Sequence, residues 1–529
     1  MRRRTLTFLA VLLLALTGVA CNRGKGDAGK ATGETPRRGG TLRLGITTLP
    51  SLDPGQARTV EQVLVADQLF DGLTAYNPRT LAPVPSIAQR WQAGPDEKQW
   101  DFFLRQGATF SNGRAITAAD VKYTLERVAK KGSGSPAADQ LDLVAGYGPF
   151  GIEGSAGELS GITAPTPQQV HIVLDQPQAE LPSILASPLF GIVPRESVEA
   201  AAPPFAEAPV GSGPFRYAAR AGDTITLVRA PGSRAYLDRL QLMQFADVPS
   251  SYRGFTAGRE DWSRVPPEEV TRASERYGRD AFRPYVAELF YGFNLRNPKY
   301  ADPRFRMAIV HAINRESIVR AIYGNTVLPL DGVTVAGVPG HQDDACGDAC
   351  THDVAKAKSL MAELAAAGVN PGQVNLDYDQ DVTQEAVAKA IQASLKEAGI
   401  DAALRPKPLK EYQDFAVSGQ QELFRLGWIA AYPSSDAFLA PLFVSSSTSN
   451  LTGFASADVD RVIQAARAEG DAAKRSTQYQ EAERAIMAGV PVVPIAQFQI
   501  HAVTSSAVRG LVPTSMGSFD ASKVWLAAG

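Results

Sequence analysis

The sequence predicts an α/β fold, and three observations carry that expectation. "VNLDYDQ", "TQEAVAKAIQASLKEAGI" and "DAALRP" follow one another as strand, helix and strand. A strand–helix–strand unit places its two strands parallel, because an antiparallel pair needs only a tight turn. "WQAGPDEKQWDFFL" carries Trp91, then Trp100, Phe102 and Leu104 at period two around Gly94-Pro95-Asp96, which predicts a hairpin. Helix-period stripes with capping residues recur between such strands.

Taken in chain order, the first element is no part of a fold. "MRRRTLTFLAVLLLALTGVAC" has Arg2, Arg3 and Arg4, an apolar core from Leu6 to Leu16, and small residues before Cys21. This is the pattern of a secretory signal, and the apolar run is short for a bilayer span of about 20 residues. Cys21 stands where a bacterial lipobox has its lipidated cysteine, although Gly18 replaces the usual Leu. The alternative is a cleaved signal followed by an unmodified cysteine. A diacylated Cys21 would bury its acyl chains at about 0.8 kcal/mol per CH2 and hold the protein on a membrane. "NRGKGDAGKATGETPRRGG" then lacks large apolar residues, and residues 22–37 are expected to form a flexible tether.

The globular part begins with a strand expected over Thr41–Ile46 and a loop ending at Asp53-Pro54. A helix is expected from about Glu61 to Phe70. After the hairpin, Thr117 with Asp120 three positions on approaches a capping box, and Val121, Leu125 and Val128 form the apolar stripe of the next helix. Asp302 caps and Pro303 opens another in "DPRFRMAIVHAI". In the βαβ unit, Val387, Ile391 and Leu395 share one helix face and Gly399 lies past its end.

Composition narrows function. Lys and Arg number 53 against 55 Asp and Glu, and removing the signal takes three Arg away, leaving a charge near −5. With no basic stripe, this argues against nucleic acid as a partner. Of the three cysteines, Cys346 and Cys350 lie together in "HQDDACGDACTHD". In an exported chain the pair reads as a disulfide, and a metal site with His341 and His352 is the alternative. No metal or other cofactor is otherwise called for.

Gly146-Tyr-Gly148-Pro-Phe-Gly151 fits GxGxxG but lacks the strand before and helix after that a dinucleotide loop needs. There is no P-loop and no GxSxG. The five histidines, His171, His311, His341, His352 and His501, lie in no recognisable catalytic context. A dispersed Ser-His-Asp triad remains compatible with any sequence. An exported hydrolase is therefore a weaker reading than a binding protein.

Longer signatures point further. "LAPVPSIAQRW" (81–91), "FLRQGATFSNGRAITAADVKYTLER" (103–127), "VGSGPFR" (210–216), "FNLRNPKYADPRFRMAIVHAINRESIV" (293–319) and "GWIAAYPSSDAF" (427–438) occur in that order. Together they resemble the family 5 extracellular solute-binding proteins of ABC importers, which include oligopeptide, dipeptide and nickel binders. The resemblance runs from about Thr41 to the C-terminus. It implies a type II periplasmic-binding-protein clamshell of two α/β lobes with mixed sheets plus an additional α+β domain. The first lobe would be residues 38–76, 192–290 and 498–529, the additional domain 77–191 and the second lobe 291–497. Ligand would lie between the lobes, whose closure is a hinge motion.

The resemblance also implies a role: a monomeric, non-enzymatic receptor on the outer face of the cytoplasmic membrane. It would deliver peptides or peptide-like solutes to permease subunits served by a separate ATPase. A clamshell sensor for a membrane signalling partner and a nickel-chelate carrier are the alternatives. The cleft would be bordered by "GWIAAYPSSDAF", with Trp428, Ile429 and Tyr432 as wall and its backbone beside the ligand. Relatives that bind peptides place an Asp for the ligand ammonium where this chain has Ala431. Asp436 is the nearby substitute, and the alternative is a ligand without a free ammonium. Arg425 would receive a carboxylate or form a surface ion pair. Asn294 would hold hinge backbone or touch ligand. Ser212 and Gly213 read as hinge-side architecture, the glycines permitting a tight loop.

Overall fold

The computed structural model describes residues 34–528, apart from 201 and 325. The signal, Cys21 and most of the tether lie outside them. Two six-stranded mixed sheets and one four-stranded antiparallel sheet organise the chain.

The lobe I sheet runs in the order Ala502–Thr504, Trp262–Arg264, Thr41–Thr47, Arg239–Phe245, Thr224–Arg229, Phe215–Ala221. Its central strand Thr41–Thr47 is parallel to both neighbours. Helix Val60–Leu69 packs here, capped by Thr59 and Gln62 in a reciprocal capping box. Gln68 on that helix donates to the Phe519 carbonyl (2.8 Å) and accepts from the Ala521 amide (2.9 Å), so the C-terminus completes this lobe.

The four-stranded sheet of the additional domain contains the expected hairpin, as Ala88–Ala93 and Gln99–Leu104, with Trp100, Phe102 and Leu104 buried. Helix Ala118–Ala129 carries the Thr117–Asp120 capping box and buries Val121, Leu125 and Val128. Residues Gly148–Glu153 form one wide helical turn running into loop, with no strand-to-helix junction.

The lobe II sheet runs Val327–Pro329, Val492–Ile500, Arg283–Phe293, Leu423–Ile429, Val374–Asp379, Ala402–Lys407. The βαβ unit forms as expected: helix Val382–Glu397 buries Val387, Ile391 and Leu395 and joins two parallel strands. Asp302 caps helix Pro303–Ala312. Cys346 and Cys350 are bonded to each other, Cα atoms 5.5 Å apart, which uses both thiols that a metal site would have needed.

Three expected domain limits fall inside hydrogen-bonded units and must move. Strand Arg283–Phe293 crosses the 290/291 limit, and strand Val492–Ile500 crosses 497/498. The small pair Thr74–Tyr76 and Pro83–Pro85 straddles 76/77. A paired strand cannot be divided without breaking its ladder, so the lobe II sheet begins at Arg283 and ends at Ile500.

Those two strands also make the crossing. Arg283 pairs with Ile500 and Pro284 with Gln499. One residue later the chain enters Ala502–Thr504 of the lobe I sheet. His501 sits at this joint, 6 % exposed, edge-on to Phe282 at 4.7 Å, its Nε2 3.2 Å from Gln499. Burial pushes its pKa down to about 4, and Arg279 and Arg264 add to the effect. The unfolded chain binds the proton more readily, so stability is lost as pH falls from about 6.5 towards 4. Replacing His501 by Gln should remove roughly 2 kcal/mol of that acid sensitivity. Denaturant midpoints at several pH values measure it.

Candidate functional site: the cleft between the lobes

In lobe II, Val374–Asp379 is parallel to Ala402–Lys407 and to Leu423–Ile429, so Asp379, Lys407 and Ile429 end at one edge. Ile429 lies opposite Ala287, at the hinge end of strand Arg283–Phe293. In lobe I, Arg264 ends its strand opposite Ala502, also beside the hinge. Both lobes thus present carboxyl ends of parallel strands at the joint, where open α/β sheets bind ligands.

Strand Leu423–Ile429 bonds along its whole length to Arg283–Phe293. On its other side, Val374–Asp379 pairs only with Leu423 and Phe424. Residues 425–429 therefore have an open strand edge. The bond from Ala430 N to Val286 O sets the phase of the ladder. Alternate residues turn to opposite sides, so Gly427 and Ile429 direct their amides and carbonyls at the open edge. The Arg425 carbonyl is taken by the Tyr412 hydroxyl at 2.5 Å. Ile429 is 61 % exposed there. An unpaired edge of this kind accepts an extended chain as one more strand.

Arg425 places Nη1 3.4 Å from Asp379 Oδ1. Among the described residues its buried Nε has no hydrogen-bond partner, nor does the buried hydroxyl of Tyr291, while the Tyr323 hydroxyl stands beside Gln384. Its charge acts on both tyrosines, which puts these groups in one neighbourhood. Asp379 and the two tyrosines were not singled out from the sequence. The available signal was Asp379 at the end of a parallel strand just before the Asp381-capped helix.

The other expected contacts are placed differently. Trp428 is half-buried and donates its indole N–H to Ala437 O at 2.7 Å. Tyr432 is buried and donates to Asp436 Oδ2 at 2.5 Å. Asp436 is fully buried, accepting from Arg467 Nε at 2.8 and 3.1 Å and from Gln178 Nε2 at 3.3 Å. Burial alone would raise its pKa; the Arg467 charge and these hydrogen bonds outweigh it and hold the carboxyl below the usual range. This placement opposes the expectation that Asp436 receives a ligand ammonium, because its oxygens are already occupied. Asn294 is likewise committed, its Nδ2 donating to Gly419 O (2.9 Å) and Gln421 O (2.8 Å). It holds loop backbone of lobe II rather than a ligand.

The "VGSGPFR" loop is architectural, as its glycines suggested. Ser212 Oγ accepts from Asp71 N (3.0 Å) and lies 3.0 Å from Ile192 O. A Cβ on Gly213 would lie 2.6 Å from Leu69 C and from Phe70 N.

Comparison with known proteins agrees with this fold. The family model for bacterial extracellular solute-binding proteins, family 5 Middle, matches residues 82–450. The chain is 25 % identical over 480 residues to the dipeptide-binding protein DppE of Bacillus subtilis, covering 86 % of each. It is 25 % identical over 458 residues to the Escherichia coli protein named probable deoxycholate-binding periplasmic protein YgiS, covering 84 % of this chain and 85 % of that one. The structure of the murein tripeptide binding protein MppA in an unliganded open form superposes with a TM-score of 0.81 at 23 % identity, covering 92 % of this chain and 97 % of that one. The chain belongs to the family 5 extracellular solute-binding proteins.

Proposed function

We propose that this chain is a receptor that captures short peptides or peptide-like solutes, extended between its lobes, and delivers them to an ABC permease. The open edge at residues 425–429 carries the reading. A ligand backbone paired with Gly427 and Ile429 gains hydrogen bonds that are indifferent to side chains. Arg425 stands beside that edge with an unused buried donor, suited to a terminal carboxylate. Trp428 and Ile429 supply apolar wall. Cys21, lipidated, would keep a monomeric receptor at the outer face of the cytoplasmic membrane. Nothing in this arrangement requires turnover, and we read the protein as a carrier rather than an enzyme.

The ligand's amino end is the distinguishing feature. Ala431 offers a methyl group, and Asp436 is sealed in its ion pair. A buried ammonium without a counter-charge is costly. N-acetylation of a tripeptide should therefore change its affinity by less than about threefold, whereas C-terminal amidation should weaken it more than about tenfold. Titration calorimetry with tripeptides in free, acetylated and amidated forms reads both. Loss of binding on acetylation would overturn the assignment of the amino end.

The exposed Ile429 favours one second reading, a solute with an apolar body. A bile acid such as deoxycholate, the ligand in the name of one relative, is the probe for it.

A further inference from the structure

The two crossing strands are not the only connection across the cleft. Gln178, Ala179 and Glu180 form a tongue of the additional domain that enters lobe II. Ala179 N donates to Arg467 O at 2.8 Å. Gln178 reaches Asp436, which Arg467 holds. Glu180 is 8 % exposed, accepts from Ser434 Oγ at 2.7 Å and Tyr479 OH at 3.4 Å, and lies 3.7 Å from Arg475 Nε. The apolar core follows the same line. Leu181, Ile184 and Leu185 of the additional domain share one buried cluster with Val286, Val335, Tyr432 and Phe438 of lobe II. The interface of the additional domain with lobe I is buried in part as well, through the Arg127–Asp53 pair, the Thr124 hydroxyl that accepts from Val193 N, and Leu73 and Ile192 in the same apolar cluster. It also carries half-exposed ion pairs such as Arg114–Glu196 and a crevice of about 770 Å³ between Arg105 and Lys523.

We propose that this tongue and its socket form a third, non-covalent hinge point that stays closed while the lobes move about it. A joint of buried, fully engaged polar groups has two discrete states rather than a continuum of loosened ones, because any partial opening strands a desolvated charge. Lobe motion is then confined to rotation about a line from His501 to the tongue, and the cleft mouth sweeps the largest arc.

The socket has a component that loosens as pH rises. Burial pushes the Glu180 pKa up to about 7; Asp436 adds to the rise, while Arg475 and the Ser434 and Tyr479 hydroxyls oppose it. Arg467, Tyr432 and Tyr479 face the same network from lobe II, and Asp142 and Glu97 from the additional domain. A freed Glu180 returns to an ordinary carboxylate, so the closed joint binds the proton more tightly. Rising pH therefore weakens it.

Pulsed electron resonance on the full chain carrying Cys21→Ser tests the proposal without any ligand. Nitroxide pairs at exposed positions 176 and 472 span the joint, and pairs at 246 and 382 span the cleft mouth. The joint pair should give one narrow distance and the mouth pair a broad or divided distribution. Joint distances as broad as those at the mouth would overturn the proposal, as would a mouth pair equally narrow, since nothing would then rotate. Gln178→Ala with Glu180→Ala should broaden the joint pair; an unchanged distribution would also overturn it. Raising the pH from about 5 to about 8 should broaden the joint pair in the native sequence and leave Glu180→Gln unmoved.

Discussion

Replacing Arg467 by Ala should destabilise the protein by about 3–5 kcal/mol. The reason is the carboxylate it leaves behind. Asp436 has no exposed surface, and among the described residues Arg467 is its only cationic partner at bonding distance. Gln178 and Tyr432 remain as donors but bring no charge. The loss is expected to be larger than for any exposed ion pair, such as Lys410–Asp414, where about 0.2–1 kcal/mol is usual. Because the native fold holds Asp436 below the ordinary carboxylate range, its contribution is present above about pH 4 and disappears as pH falls through the lowered value. Urea denaturation of both proteins at neutral pH and near pH 3 checks size and sign together. A second variant, Arg467→Met with Asp436→Leu, should recover most of the loss, since no stranded charge remains. A single-variant cost under 1 kcal/mol would mean that Asp436 has found water.

Gly211→Val should cost about 3 kcal/mol or more, the upper range for overpacking, because the obstruction is backbone. A Cβ at Gly211 would lie 2.0 Å from the Leu69 carbonyl oxygen and 3.0 Å from its carbon, where helix Val60–Leu69 ends. A flexible side chain could move aside; a helix terminus cannot without disturbing Phe70 and Asp71, which the same loop holds through Ser212. The Gly211 carbonyl also accepts from Ser111 N at 2.8 Å, so the strain would be felt in the additional domain. Thermal unfolding with retained soluble yield is the measurement. A midpoint unchanged in Gly211→Ala would show that the approach is looser than described.

Local chemistry was legible in the sequence, and distance was not. Thr117 with Asp120, Asp302 with Pro303, and the period of Trp100, Phe102 and Leu104 each act within a few residues, and each element forms as read. Asp436 misled for the same reason. It stands five positions from Ala431, which suggested a shared pocket, but its partners Arg467 and Gln178 are 31 and 258 residues away. No periodicity encodes such a pairing. The domain limits failed by a few residues because a hinge strand reads like any other strand; its role appears only when Arg283 is seen beside Ile500. Arg425 was legible as a residue, and the open edge next to it was not. That edge depends on where Val374–Asp379 stops pairing with its neighbour.

The bonds from Gln68 to Phe519 and Ala521 have a consequence for how the chain is made. The first strand emerges from the ribosome hundreds of residues before the segment that closes its sheet. Lobe I cannot finish until almost the last residue is available, whereas the hairpin of the additional domain and the βαβ unit each draw their strands from one short stretch of chain. Synthesis thus leaves the N-terminal region unsettled for most of its duration.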